Sequence, residues 1–153
     1  MRVIAVSASE RKGEKKHNLA EAELRENFGL VGDAHADGSH RQLSLLAMES
    51  IDAMRARGAD VNPGDFAENL TTEGVILHAL PIGSRLLVGG FVLLELTQIG
   101  KECHSGCAIQ RLVGQCVMPR EGVFCRILRG GMVRPGDAIE VLPFAGESRE
   151  SFL

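Results

Sequence analysis

The chain has no tryptophan or tyrosine, and its aromatic complement is six phenylalanines in 153 residues. Aliphatic side chains must therefore build most of any core. A surplus of one charge sign is missing too. The formal net charge of -3 gives no electrostatic footing for nucleic acid or an anionic membrane. No apolar run is long enough to span a bilayer. The opening Met1-Arg2-Val3-Ile4-Ala5-Val6-Ser7 alternates as a strand does and runs into a charged segment, without the layout of a signal peptide. These features together predict a cytoplasmic protein. In such a setting four cysteines in a chain of this length imply free thiols, not a disulfide framework.

What is present points to one domain. Hydrophobic residues make up 44% of the chain, a share typical of a single core, and eighteen glycines punctuate it throughout. Short strands joined by tight turns suit that spacing better than a helical bundle. Strands are expected over 2–7, 84–88, 91–97, 123–128 and 138–142. The Gly89-Gly90 and Gly130-Gly131 pairs and the Asn62-Pro63-Gly64-Asp65 stretch supply turns. Residues 18–26 favour helix locally yet alternate at Leu19, Glu21 and Glu23, and the reading leans to strand. One helix stands out over 45–57, with Leu45, Met48, Ile51 and Met54 on one side. Ser44 is placed to cap its start and Gly58 its end. One helix among at least six strands predicts a β-barrel or strongly bent sheet over 1–145, followed by a loose tail at 146–153.

Several polar stretches are candidates for chemistry. Glu10-Arg11-Lys12-Gly13-Glu14-Lys15-Lys16-His17 reads as a solvated turn or as a phosphate-holding loop, since a glycine lets the backbone approach and lysine supplies charge. Asp33, His35, Asp37 and His40 are turn formers or metal ligands. Asn69 and Thr71 project to one side of a strand, where they can read a polar ligand or close a buried hydrogen bond. Cys103, Cys107, Cys116 and Cys125 lie at intervals of four, nine and nine, which is not the paired-knuckle spacing of structural zinc. A site from Cys103, His104, Cys107 and Cys116 stays open, and Cys125 reads as a small buried hydrophobe. Gly100 and Gly106 bracket Cys103, and Lys101, His104 and Arg111 are cations that favour its thiolate. The residues alone leave Cys103 as a metal ligand, a carrier of sulfane sulfur or an unreactive thiol.

An ordered set of motifs resembles the MOSC domain, the C-terminal domain of molybdenum cofactor sulfurases, in its short standalone bacterial form. The set comprises Lys12-Gly13, Gly29-Leu30-Val31-Gly32-Asp33-Ala34-His35 and His40-Arg41-Gln42-Leu43-Ser44-Leu45-Leu46. It continues with Pro63-Gly64-Asp65-Phe66-Ala67-Glu68-Asn69-Leu70-Thr71-Thr72-Glu73-Gly74, Gln98-Ile99-Gly100-Lys101-Glu102-Cys103 and Met118-Pro119-Arg120-Glu121-Gly122-Val123-Phe124. The resemblance implies a mostly antiparallel β-barrel with a few helices. It also implies binding of molybdenum cofactor, a pterin dithiolene with a phosphate tail. Cys103 matches the cysteine that ligates molybdenum in amidoxime-reducing members, and Cys107 matches a second cysteine of sulfurase-type members. Asn69 falls on an asparagine that contacts the cofactor, and Lys12 on a lysine of the same site. The arginine two positions before that asparagine is Ala67 here, and the serine after that lysine is Gly13. Arg41 and Arg120 match motifs of the standalone family. With Thr71 and Lys101 they complete the expected cofactor-binding set.

Two functions follow from the resemblance. One is a molybdenum-dependent reductase of N-hydroxylated compounds, with Cys103 on the metal and an external electron-transfer protein as donor. The other is a carrier of cofactor or sulfane sulfur to a molybdoenzyme client, with Cys103 as persulfide and Cys107 as resolving thiol.

Overall fold

The computed structural model describes residues 1–11, 15–34, 36, 38–39, 41–100 and 118–142. Eleven strands carry the fold among them: β1 (Arg2–Ala8), β2 (His17–Leu19), β3 (Ala22–Arg25), β4 (Gly29–Leu30), β5 (Leu43–Ala47), β6 (Leu70–Glu73), β7 (Arg85–Val88), β8 (Val92–Ile99), β9 (Val123–Arg129), β10 (Gly131–Val133) and β11 (Ile139–Leu142). Helix α1 (Met48–Ala56), a 3₁₀ turn (Leu77–Ala79) and the one-turn helix α2 (Met118–Glu121) complete the described elements. None of the described helices is long and apolar enough to cross a membrane.

Eight strands form one sheet in the order β11-β7-β8-β9-β5-β6-β1-β2, and β10-β3-β4 form a second. The sheet is mixed, because β5 and β6 run parallel, with Leu45 level with Leu70. A parallel pair needs a crossover connection, and α1 lies on it. The mainly β architecture expected from the sequence is present, but the closed antiparallel barrel is not found among the described residues. Instead the outer edge of β1 is shared. Val6, Ser7 and Ala8 pair with β2, while Met1 to Val3 bond to the chain entering β11: Val3 N–H to Asp137 O (2.9 Å), Gly136 N–H to Val3 O (2.7 Å) and Ile139 N–H, the first of β11, to Met1 O (3.0 Å). The two ends of the sheet therefore meet at one bridge, Arg2 with Ala138, and not along a ladder.

The helix begins later than expected. Residues 43–47 form a strand buried at every position between β6 and β9. A strand covered on both faces reads as a continuous apolar run, so the Leu45 to Met48 spacing imitates a helical stripe. Ser44 is consequently a strand residue, and Ala47 stands at the helix start without a side-chain cap. The other end follows expectation. Gly58 adopts φ +93°, its N–H reaches Arg55 O (2.9 Å) and the Ala59 N–H reaches Met54 O (3.1 Å), the double closure of a Schellman cap. The 18–26 stretch resolves as strands, with Ala22 and Leu24 turned inward. Gly89 and Gly90 turn β7 into β8 with φ +64° and +77°, as a type I′ turn requires.

Two cores flank the large sheet. The larger is aliphatic and joins inward residues of the main sheet to Ala22, Leu24, Leu30 and Val133 of the small one. The other gathers Leu46, Phe66 and Phe124 under Ile51 and Met54 of α1.

Candidate functional site

Polar side chains enter the protein interior at one end of the central strands. Ser7 of β1, Asn69 just before β6 and Ser44 of β5 stand side by side, in line with Phe124 of β9 and Gln98 of β8. Asn69 is 1% exposed and works as an extra peptide unit between two strands. Its Nδ2 donates to Ser7 O (3.1 Å), and its Oδ1 accepts from the Ser44 N–H (3.0 Å) and Ser44 Oγ (3.1 Å). The backbone joins in, with Ser7 N–H on Asn69 O (2.7 Å) and Asn69 N–H on Ser44 O (2.9 Å). Full pairing is what buried polar groups need, because an unpaired one costs the whole of its lost hydration.

Two residues farther along β1 the chain opens into the 9–16 loop, and a buried ion pair closes its mouth. Lys16 Nζ lies 2.6 Å from Asp33 Oδ1, with the two side chains 0% and 1% exposed. The same Oδ1 accepts the Ser9 N–H (3.0 Å), and Lys16 Nζ also reaches Ser9 Oγ (3.4 Å). Ala34 N–H donates to Ser9 O (2.8 Å), and Lys16 N–H donates to Gly64 O (2.9 Å). Gly64 is required there. It follows Pro63 at φ +94° in a type II arrangement, and a Cβ on it would stand 2.7 Å from Lys16 O. The 9–16, 31–34 and 62–69 segments, which carry three of the sequence motifs, thus converge.

Above this junction lies an open cleft of about 510 Å³ lined by Ala8, Ser9, Glu10, Arg11, His17, Leu19 and Gly32. Arg11 supplies positive charge, His17 a hydrogen-bonding ring and Glu10 an acid, while Ser9 is committed to Asp33, Lys16 and Arg11 O. The 62–69 segment carries a further buried ionisable group besides Lys16 and Asp33. Glu68 is fully buried, takes the Phe66 N–H on Oε1 (3.3 Å) and the Thr71 hydroxyl on Oε2 (2.8 Å), and has its pKa pushed up to about 7 by burial. Those hydrogen bonds pull the other way without matching the desolvation. The residue before it, Ala67, holds φ +65°, a conformation that L side chains seldom adopt.

Of the residues singled out by sequence, Asn69 and Thr71 meet in this buried polar region, Thr71 through Glu68. Arg41 is exposed, with its guanidinium 5.7 Å from the Phe124 ring centroid. Arg120 is exposed on α2, which directly precedes β9 and so stands beside the carboxyl end of β5, where Leu45 pairs with Val123. Arg41 lies before the opposite end of that strand. Lys12, Lys101, Cys103 and Cys107 lie outside the described residues, as do His35, Asp37, His40, His104 and Cys116. The chain leaves for Cys103 from a described anchor: Gly100 N–H donates to Gly122 O (2.6 Å), and Gln98 Nε2 donates to Gly100 O (2.8 Å). Cys125 is buried, as expected, and burial raises its pKa. No group of three or more His, Cys, Asp or Glu among the described residues is arranged to hold a metal ion.

Sequence reasoning missed Lys16, Glu68 and the true role of Ser44, and left Asp33 as a turn former or metal ligand. Lys16 was hidden as the last cation of a run that reads as solvated. Glu68 offered one signal, an acid set between Phe66-Ala67 and Leu70.

A family model described as the MOSC domain matches residues 32–140. No curated protein matches the chain. Among solved structures it is similar to the YuaD protein from Bacillus subtilis, at 18% identity and a TM-score of 0.75 over 92% of this chain and 94% of that one. It is also similar to YiiM from Geobacillus stearothermophilus, at 16% identity and TM-score 0.69 over 93% of this chain and 75% of that one. YiiM from Escherichia coli matches at 19% identity and TM-score 0.65, over 94% of this chain and 70% of that one. At these identities the structural likeness establishes the fold alone.

Proposed function

The chain belongs to the MOSC domain family, and from that premise we propose that it binds molybdenum cofactor, with Cys103 as the thiolate ligand of the metal. The observation that carries the reading is the family match, since MOSC domains are associated with molybdenum-cofactor binding. The donor set of the cleft suits such a ligand. A pterin phosphate calls for cations and hydrogen-bond donors, which Arg11 and His17 offer at the cleft, and Lys12, Lys101, Arg41 and Arg120 are further cations of the sequence. Glu10 offers an acceptor for the N–H groups of a pterin ring. Cys103 contributes the soft donor, and Lys101 and His104 beside it in sequence favour its ionised form. Asn69 acts from within, tying down Ser7 just before the cleft residues Ala8 and Ser9, and Thr71 holds Glu68.

When bound, the cofactor supplies two-electron redox chemistry suited to reducing N-hydroxylated compounds, with electrons from a separate donor protein. The test is coexpression with an intact cofactor pathway, followed by molybdenum and pterin content per chain for wild type and Cys103→Ala. Near-stoichiometric metal that the variant loses, with reduction of an N-hydroxylated base by the wild type under a chemical reductant, is the expected result. Metal and pterin kept equally by the variant would sink the ligand assignment. Metal in neither protein, with a persulfide on wild-type Cys103, would replace the reductase by a sulfur carrier.

A further inference from the structure

Lys16 and Asp33 are the one described ion pair with both side chains fully out of water; every other is partly exposed at each end. Such a pair is a poor way to gain stability. Desolvating two charges is expensive enough that apolar side chains of similar volume commonly serve as well or better. What apolar side chains lack is direction. One carboxylate oxygen of Asp33 receives both the Ser9 N–H and the Lys16 ammonium, the first and last residues of the 9–16 loop. Ser9 Oγ then donates to Arg11 O (3.0 Å), passing the constraint into the loop. Ser9, Glu10 and Arg11 are the residues this arrangement aims, and all three line the cleft.

We propose that Lys16 and Asp33 are positioning residues, a buried clamp that ties Ser9 to Lys16 and so fixes where Arg11 stands for the ligand. The proposal rests on the reading that this cleft takes part in holding the cofactor. It also makes a statement about the loop that stands without any ligand. Lys16→Met/Asp33→Asn removes both charges of the pair together, while the amide that replaces the carboxylate keeps an acceptor for the Ser9 N–H.

The experiment compares wild type with that double variant in three readouts: the urea midpoint, amide exchange over residues 9–16, and pterin per chain after coexpression. A clamp predicts a midpoint close to wild type, exchange over 9–16 faster by about tenfold, and pterin content lower by roughly tenfold, as is usual when support behind a ligand shell is lost. Wild-type exchange over 9–16 in the double variant overturns the proposal, whatever the pterin does. Absence of pterin from wild type sinks the cofactor reading instead, and the exchange result still decides the clamp. If the double variant does not fold, Lys16→Arg takes its place, because a planar fork cannot repeat the ammonium's contacts. Raised exchange over 9–16 in that folded variant supports the clamp, and wild-type exchange overturns it.

Discussion

The larger core and the polar end of the sheet bury side chains on opposite principles. In the larger core the packed residues are Ala, Val, Leu, Ile and one Cys, held by area removed from water and indifferent to direction. At the polar end Ser7, Ser9, Lys16, Asp33, Ser44, Glu68, Asn69 and Thr71 are all buried, and almost every contact has a donor, an acceptor and an angle. The first region tolerates exchange of one aliphatic residue for another of like volume. The second tolerates little, because a removed partner leaves its mate desolvated and alone. A fold that needs only to be stable has no use for the second arrangement, so the place where it occurs marks where geometry matters.

The widest break in that comparison comes from one change on each side. Asp33→Asn should cost about 3–5 kcal/mol, since Lys16 keeps its charge in a buried site and loses its counter-ion. Leu94→Ala in the larger core should cost roughly 2–5 kcal/mol through lost transfer energy and the cavity left behind. The losses are similar and the physics is not, which a second substitution exposes. Adding Lys16→Met to Asp33→Asn should restore most of the urea midpoint, whereas enlarging a neighbour of Leu94 strains other contacts. A double variant no more stable than Asp33→Asn alone would mean that apolar packing and not charge governs that corner.

Glu68 sharpens the contrast through pH. Its folded pKa of about 7 lies above the ordinary value of 4.5, so the folded protein binds the proton more tightly. Below about pH 4.5 both folded and unfolded chains carry that proton, and burial brings no titration penalty. As pH rises toward about 7 the unfolded chain ionises first and stability falls, after which the loss levels off. The full penalty is on the order of 3 kcal/mol. Glu68→Gln should remove this slope and stabilise the protein at pH 8 more than at pH 5, as its amide can accept from Phe66 and donate to Thr71. A larger loss at pH 8 than at pH 5 in urea melts would show that the ionised carboxylate is the form the fold prefers, and equal changes at both would show that burial does not shift Glu68.

How much of this was legible depends on which region is asked. Alternation and glycine punctuation located β1, β7, β8, β9 and β11, because a strand with one wet face writes its period into the sequence. Strand β5 escaped, since burial on both faces erases the period and leaves an apolar run that suits a helix equally. The missing barrel closure was illegible for a different reason. It turns on β2 and the 136–139 segment competing for one edge of β1, a long-range choice with no local mark. The same holds at the site. Asn69 stands out in the sequence because its motif is distinctive, whereas Lys16 looks like any surface lysine until Asp33, seventeen positions on, is folded against it.

The smallest effect makes the finest test, since it concerns two neighbours in β6. Thr71 and Thr72 are both fully buried, but alternate side chains of a strand face opposite ways. Thr71 turns to the polar side and donates to Glu68 (2.8 Å). Thr72 stands in line with Val3 and Ala47 of the larger core, and its hydroxyl has no hydrogen-bond partner among the described residues. Valine matches threonine in shape and differs by that hydroxyl. Thr72→Val should therefore gain about 1 kcal/mol by removing a desolvated, unpaired group. Thr71→Val should lose about 1 kcal/mol or more by stranding the Glu68 oxygen. Opposite signs from one substitution at adjacent positions, read as shifts in urea midpoint, require that the boundary between the two regions run through the plane of this strand. A loss at both positions would mean that Thr72 has a polar partner, such as a buried water, and that the larger core is not purely apolar.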